Sequence, residues 1–327
     1  MDARSRASHC DRGLAIAFHG VGEVGERHPL DVTIDVERFE EQIRYLDAHY
    51  ALVRSSELLD AVRARRWGEK LPVAITFDDD LRSHLTFAKP ILDRLGAPAT
   101  FFLGGAGLDG HLTFWWERLE RAYVAGSINE EELRGLVPRR DGRHGADTRD
   151  LRAIVVDIEF MEPGDRDELS EKLGSRAGSD PDGAGLRPAD IRDLSDGGRY
   201  EIGFHTRSHY NLAILDDARL ANELTAGRDE LAEIVGRSLT SIAYPGGRWN
   251  HNVADASRDA GFELGFTCDP IPADPDADPL HIGRLVPNWC KTRGQFALEV
   301  ASAMAGRQQP WPIVERPAPA PLRPSSA

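Results

Sequence analysis

A chain of 327 residues with 41% hydrophobic side chains can bury one large α/β core or two small ones. Its formal net charge of −14 argues against nucleic acid and anionic membrane as partners. The three cysteines (Cys10, Cys268 and Cys290) are widely spaced and form no CxxC, which argues against a disulfide framework and against a cysteine-based zinc site. From Met1 to Gly13 there is no apolar signal-peptide core, and no stretch approaches the roughly 18 apolar residues of a spanning helix. A cytoplasmic location is therefore expected.

Leu14–Phe18 has the character of a first strand, ending at His19-Gly20. Phe39, Ile43 and Leu46 recur at helical spacing in a helix over about 35–48. Ser55 or Ser56 can cap a further helix carrying Leu58, Leu59 and Val62. A strand over 72–77, a helix over about 83–95 and a strand over 99–103 follow, an alternation that predicts βα units and a mainly parallel sheet. The rhythm breaks after Gly104-Gly105. Residues 111–124, with Trp115-Trp116, look helical, while 137–150 and 173–187 are rich in Gly, Asp, Arg and Pro. The span from about 104 to 187 is expected to be an insertion of helices and loops, forming a lid or a wall. The βα rhythm returns with a helix near 188–195, a strand over 200–204, a helix over about 216–235, a strand over 240–244, a helix near 250–260 and a strand over 262–267. Four Asp and four Pro between Asp269 and Pro279 dictate a loop. Six prolines without periodicity in 307–327 predict a disordered tail after one folded unit over 1–306.

Two short motifs carry the chemistry. Thr76-Phe77-Asp78-Asp79-Asp80 ends one predicted strand, and His205-Thr206-Arg207-Ser208-His209 follows another. Both stand at carboxyl ends of strands, where α/β barrels and sheets build their sites. Two histidines at i and i+4 share one face of a helical turn. With one carboxylate from the other loop they complete a two-His, one-carboxylate set with positions left open for water and substrate. That set suits hydrolysis by a metal-activated water.

These residues resemble the polysaccharide deacetylase family, also called the NodB-homology or carbohydrate esterase 4 group. The resemblance is carried by Thr76-Phe77-Asp78-Asp79, by His205-Thr-x-x-His209, by Ala99-Thr100-Phe101-Phe102 and by Tyr244-Pro245-Gly246-Gly247. It covers about 70–300, and Phe18-His19 resembles the start of longer members. The fold it implies is a distorted (β/α) barrel of the NodB-homology, glycoside hydrolase-deacetylase type, here with a helical insertion. The activity it implies is removal of acetyl groups from N-acetylated sugars with one divalent metal, zinc first and cobalt or manganese as alternatives. Asp78 would be the general base, Asp79, His205 and His209 the metal ligands, and the Gly246 amide the oxyanion donor. His281 is the nearest match to the family's general acid. His19, Tyr244, Trp249 and Arg284 are expected at the substrate.

The chain departs from the family at three points. Asp80 stands where Gly is usual, and if its backbone needs a positive φ, Asp is one of the few tolerated replacements. Ala243 stands where the family has an arginine that orients the base, a role open to Arg284 or Arg248. Leu280-His281-Ile282-Gly283-Arg284 is a poor match to the general-acid motif. An amidase or imide hydrolase acting on a small non-sugar substrate is therefore one alternative. A catalytically weakened carbohydrate-binding relative is another.

Overall fold

A computed structural model describes residues 12–23, 33–111, 114–138, 151–180, 182–287 and 292–310. Cys10, residues 139–150 of the expected loop, Cys290 and the residues from 311 of the expected tail lie outside the described residues. The strands are β1 (Leu14–Phe18), β2 (Val21–Gly22), β3 (Ile34–Asp35), β4 (Ala51–Val53), β5 (Pro72–Asp78), β6 (Ala99–Leu103), β7 (Tyr200–Phe204), β8 (Ser241–Ala243), β9 (Leu264–Phe266) and β10 (Arg284–Leu285). The helices are α1 (Val36–His49), α2 (Leu58–Ala64), α3 (Lys89–Leu95), α4 (Trp115–Val124), α5 (Glu130–Leu136), α6 (Leu151–Glu159), α7 (Pro163–Ala177), α8 (Pro188–Ser195), α9 (Asp217–Thr225), α10 (Arg228–Val235), α11 (His251–Asp259) and α12 (Arg293–Met304).

The main sheet runs β10-β1-β5-β6-β7-β8-β9, and every one of these pairings is parallel. The far edge comes back to the near one. Phe266 of β9 bridges Ile282, two residues before β10, through Thr267 N–H to the Ile282 carbonyl (2.9 Å) and Ile282 N–H to the Gly265 carbonyl (2.8 Å). The result is a nearly closed (β/α) barrel, the fold class expected from the motifs. β4 adds to β5 over Pro72–Ala74, on the side that β6 takes over from Thr76 onward.

Strand parity separates two layers. Leu14, Ile16, Phe18, Val73, Ile75 and Phe77 face outward into the helices. Ala15, Ala74, Phe102, Ala243, Phe266 and Ile282 form a separate interior cluster. Small interior residues keep the lumen wide enough for two phenylalanines and, as described below, for one arginine. Gly203 of β7 belongs to the same economy of space, since a Cβ there would run into the Phe102 ring.

The chain between β6 and β7 builds an apolar cluster of its own. Trp115, Leu119 and Ala122 of α4 meet Leu133 of α5, Leu151, Ile154 and Ile158 of α6, and Leu169 and Leu173 of α7. Asp180 ties this bundle together by accepting from Arg118 (2.9 Å) and Arg121 (2.5 Å). Residues 173–177, expected as loop, continue α7 because Leu173 is buried in the bundle. The helix expected over 216–235 is two helices, broken at Gly227, whose φ of 82° is left-handed. Residues 84–88 form a π-turn ahead of α3. No helix among the described residues is long and apolar enough to cross a membrane.

The packing around Gly203 gives a direct test. Gly203→Ala should lower stability by about 1–3 kcal/mol through overpacking against Phe102, read as a fall in urea midpoint at unchanged slope.

Candidate active site

β5 delivers three consecutive carboxylates into different surroundings. Asp78 is the last residue of the strand, and its parity is that of the interior positions Ala74 and Thr76. Arg284 of β10 meets it from across the barrel in a bidentate pair, Nη1 to Oδ1 at 2.6 Å and Nη2 to Oδ2 at 2.7 Å. The guanidinium also donates from Nε to the Thr267 carbonyl (3.0 Å) and from Nη1 to Thr76 Oγ1 (3.2 Å). Arg284 has no exposed surface. Burial opposes charge on Asp78, but Arg284, with His205 and His19 behind it, overrides that and holds the carboxyl below the usual range. The stabilisation this implies is fully present above the ordinary carboxylate range and is lost only as pH falls through the depressed value.

Asp79 turns the chain. Its φ of 74° lies in the left-handed region, which Asp tolerates better than most residues. The positive φ is therefore at Asp79 and not at Asp80, which has a different task. Its two oxygens accept the amides of Gly105 and Ala106, both at 3.0 Å, and so anchor the loop after β6. Gly104 in that loop lies against the Thr206 backbone so closely that a Cβ would overlap the Thr206 carbonyl. The two loops carrying the motifs are thus locked to one another.

His205 continues β7, donating its amide to the Leu103 carbonyl (2.9 Å). Its Nδ1 pairs with the Ala243 carbonyl at 2.8 Å, which makes Nδ1 the protonated nitrogen and leaves Nε2 with a lone pair. The chain from His205 to His209 is a loop with left-handed residues at Thr206 (φ 56°) and His209 (φ 49°), not the helical turn that the i, i+4 spacing suggests. The loop nevertheless brings both rings to one point. Asp79 Oδ1 lies 3.7 Å from Nε2 of His205 and 3.7 Å from Nε2 of His209.

This trio can be tested for its fit to a metal ion. One ligand-type atom from each residue lies within 4.8 Å of the others. Asp79 Oδ1 is buried and has no hydrogen-bond partner among the described residues, an arrangement too costly for a carboxylate oxygen unless something else compensates it. Burial first, then Asp78, Asp80 and Glu117, push the Asp79 carboxyl well above its usual range. Burial holds both imidazoles neutral, reinforced at His209 by His205 and Arg166. Two neutral imidazoles and one uncompensated carboxylate fit a divalent cation.

A cavity of about 180 Å³ opens over the trio. The barrel supplies His19, Asp78, Pro245, Gly246 and Cys268, and the insertion supplies Trp115, Trp116, Val155, Glu159 and Arg166. Gly246 sits in a tight turn at φ 59°, in which Gly247 and Arg248 donate their amides to the Tyr244 and Pro245 carbonyls. Arg248 pairs with Glu159 (3.0 Å), so that one wall is an ion pair between barrel and insertion.

Of the expected site residues, Tyr244, Trp249 and His281 lie away from the cavity, and Arg284 stands behind Asp78 without lining it. Tyr244 is fully buried and faces outward into the helix layer, its hydroxyl donating to the Leu280 carbonyl (2.9 Å). Trp249 donates its Nε1–H to Asp269 (3.1 Å) and stacks on His281 at 3.7 Å between ring centroids. His281 bonds the same carboxylate at 3.0 Å and does not line the cavity. Arg284 is spent on Asp78 rather than on substrate. Sequence reasoning missed Cys268, although it follows β9 at the carboxyl end where sites form. Val155, Glu159 and Arg166 gave no local signal at all.

Residues 169–265 match a family model described as polysaccharide deacetylase. No curated protein matches the sequence. Among solved structures, the fold is similar to a Streptococcus pyogenes deacetylase, PplD, in complex with acetate, with 16% identity and a TM-score of 0.59 over 88% of this chain and 98% of that one. It is also similar to a de-N-acetylase from Aggregatibacter actinomycetemcomitans, with 15% identity and a TM-score of 0.57 over 88% and 99%. IcaB from Ammonifex degensii aligns with 19% identity and a TM-score of 0.53 over 90% and 97%. At such identities the structural likeness speaks for the fold alone, and the family match takes in His205, His209 and Tyr244-Pro245-Gly246-Gly247 but not Asp78-Asp79.

The buried pair is open to measurement. Arg284→Met should cost about 3–5 kcal/mol because it strands a buried charge. Adding Asp78→Asn should recover part of that loss, read from urea unfolding of the single and double variants.

Proposed function

We propose that this chain, a polysaccharide deacetylase relative by motif and by fold, is a metal-dependent hydrolase that removes the acetyl group from an N-acetylated sugar, oligosaccharide or glycolipid. The observation that carries the reading is the unpartnered Asp79 Oδ1 between two imidazole Nε2 atoms, beside an aspartate clamped by an arginine. Asp79, His205 and His209 would hold the ion, zinc before cobalt or manganese. A divalent ion there supplies Lewis acidity for the acetamide carbonyl and lowers the pKa of water.

The remaining chemistry falls to the chain. Asp78 is the general base. Its Oδ2 lies 3.9 Å from His205 Nε2, so this is the oxygen that faces the ligand trio and takes the proton of the attacking water. Arg284 keeps Asp78 ionised and fixes its plane, giving up some basicity in exchange for orientation. The Gly246 amide, in a turn whose bonds are made by its two successors, is the oxyanion donor. The leaving amine needs a proton. Burial holds His19, the imidazole that lines the cavity outside the trio, below its usual range, so we assign it to pass on to the amine the proton that Asp78 takes from the water, in place of His281. Glu159, Arg248 and Trp115 form the wall against which the sugar is oriented. The barrel and its insertion act as one unit in this reading, since each supplies part of the cavity.

The apolar share of that wall, Val155 with Trp115, keeps a small non-sugar amide as the competing substrate. Protein stripped of metal and reloaded with Zn²⁺, Co²⁺ or Mn²⁺ should release acetate from N-acetylglucosamine oligomers only when loaded. A loaded protein that releases none would shift the assignment to the small amide. Asp78→Asn should lose about 10²–10⁴-fold in kcat and keep its metal. His205→Ala and His209→Ala should lose both. His19→Gln should fall by about 10²–10⁴-fold and His281→Gln by no more than about threefold, and the reverse order would return the acid role to His281.

A further inference from the structure

The two histidines are held by different parts of the molecule. His205 is fixed by the barrel, through its amide on Leu103 and its Nδ1 on Ala243. His209 lies four residues beyond that, and its ring takes no hydrogen bond from any other described residue. Its backbone is left-handed at φ 49°, a conformation that costs a non-glycine residue and persists only where the surroundings impose it.

The insertion provides those surroundings. Arg166 of α7 donates from Nη1 to the His209 carbonyl (2.7 Å) and from Nη2 to the Ser208 carbonyl (2.6 Å). The guanidinium is itself held, being 6% exposed and lying 4.1 Å over the Tyr210 ring. Trp116 of α4 packs on the His209 ring with centroids 4.4 Å apart and is backed by Phe114 at 4.3 Å. With one side chain fixing the backbone and the other the ring, the third ligand-type atom is aimed by helices that lie outside the barrel.

We propose that Arg166 and Trp116 are positioning residues for the metal, and that the insertion is therefore a working part of the ion site and not only a wall of the cavity. The inference rests on Asp79, His205 and His209 being the ligands. Partners of this kind typically tune metal affinity by about 10–100-fold.

The test is zinc affinity by chelator competition on the full chain, with the melting temperature of the metal-free protein measured in parallel. Arg166→Lys, which keeps the charge but replaces the planar two-nitrogen fork with a single nitrogen, and Trp116→Leu should each weaken zinc about 10–100-fold. Acetate release by Arg166→Lys should recover toward wild type at saturating zinc. Arg134→Ala removes an ion pair within the insertion, Arg134 Nη1 to Asp157 Oδ2 at 2.6 Å, away from the cavity, and should leave affinity unchanged. Wild-type affinity in Arg166→Lys and Trp116→Leu would overturn the proposal, as would an equal loss in Arg134→Ala, which would mean the insertion only stabilises. If Arg166→Lys does not fold, Trp116→Leu carries the comparison. Zinc binding that survives His205→Ala undiminished would instead overturn the ligand assignment itself.

Discussion

A guanidinium with no exposed surface is among the most expensive groups a barrel can enclose, and it is stable there only with every donor engaged. Arg284 meets that condition with Asp78, Thr76, the Thr267 carbonyl and the Cys268 sulfur. Much of the architecture follows from accommodating it. The inner faces of β1, β5 and β8 carry Ala15, Ala74 and Ala243, which leave room for the long side chain. The pair also separates two neighbouring carboxylates that would otherwise behave alike. Asp78 is neutralised by an internal cation and stays charged, whereas Asp79, one residue on, has no such partner and is left wanting one.

The rest of the site is a matter of loops held against their preferences. Among the described residues, the three non-glycine residues in left-handed conformations, Asp79, Thr206 and His209, all lie in the two motif loops. Strain of that kind concentrates where geometry is functional and is tolerated because neighbours over-determine it. Asp80 does so for one loop by gripping the amides of Gly105 and Ala106, and the insertion does so for the other. The helices after β6 are thus joined to the barrel by polar contacts at the cavity, while their apolar cluster stays separate.

The barrel was largely legible in the sequence because its strands are unbroken apolar runs separated by amphipathic helices, and parallel strands buried on both faces have that pattern. Asp78, Asp79, His205 and His209 were legible because they end such runs. The histidines converge for a reason other than the one their spacing offers, since the segment is not helical. Arg284 was legible only as one of two candidates. Nothing local links it to Asp78, 206 residues away. Tyr244 illustrates a signal that was available, as alternation from the inward Ala243 already sends it outward. Glu159 and Arg166 were not legible at all, since the way a helix of an insertion faces a barrel depends on packing between units that no short window of sequence contains.

Pairing β10 with β1 has a consequence for how the protein comes into being. Strands β5 to β9 can associate as the ribosome releases them, but Asp78 waits for an arginine made some two hundred residues later. Until then the barrel is an open sheet with a carboxylate at its unfilled centre and the free edge of β1 exposed. Contacts of this sequence separation form slowly, and open edges invite pairing with other chains. The last strand to be synthesised is therefore also the one that closes the barrel, covers its vulnerable edge and neutralises its centre. Closure of the barrel, edge protection and assembly of the clamped aspartate become a single event, so a nascent chain has no route to an active centre before its fold is sealed.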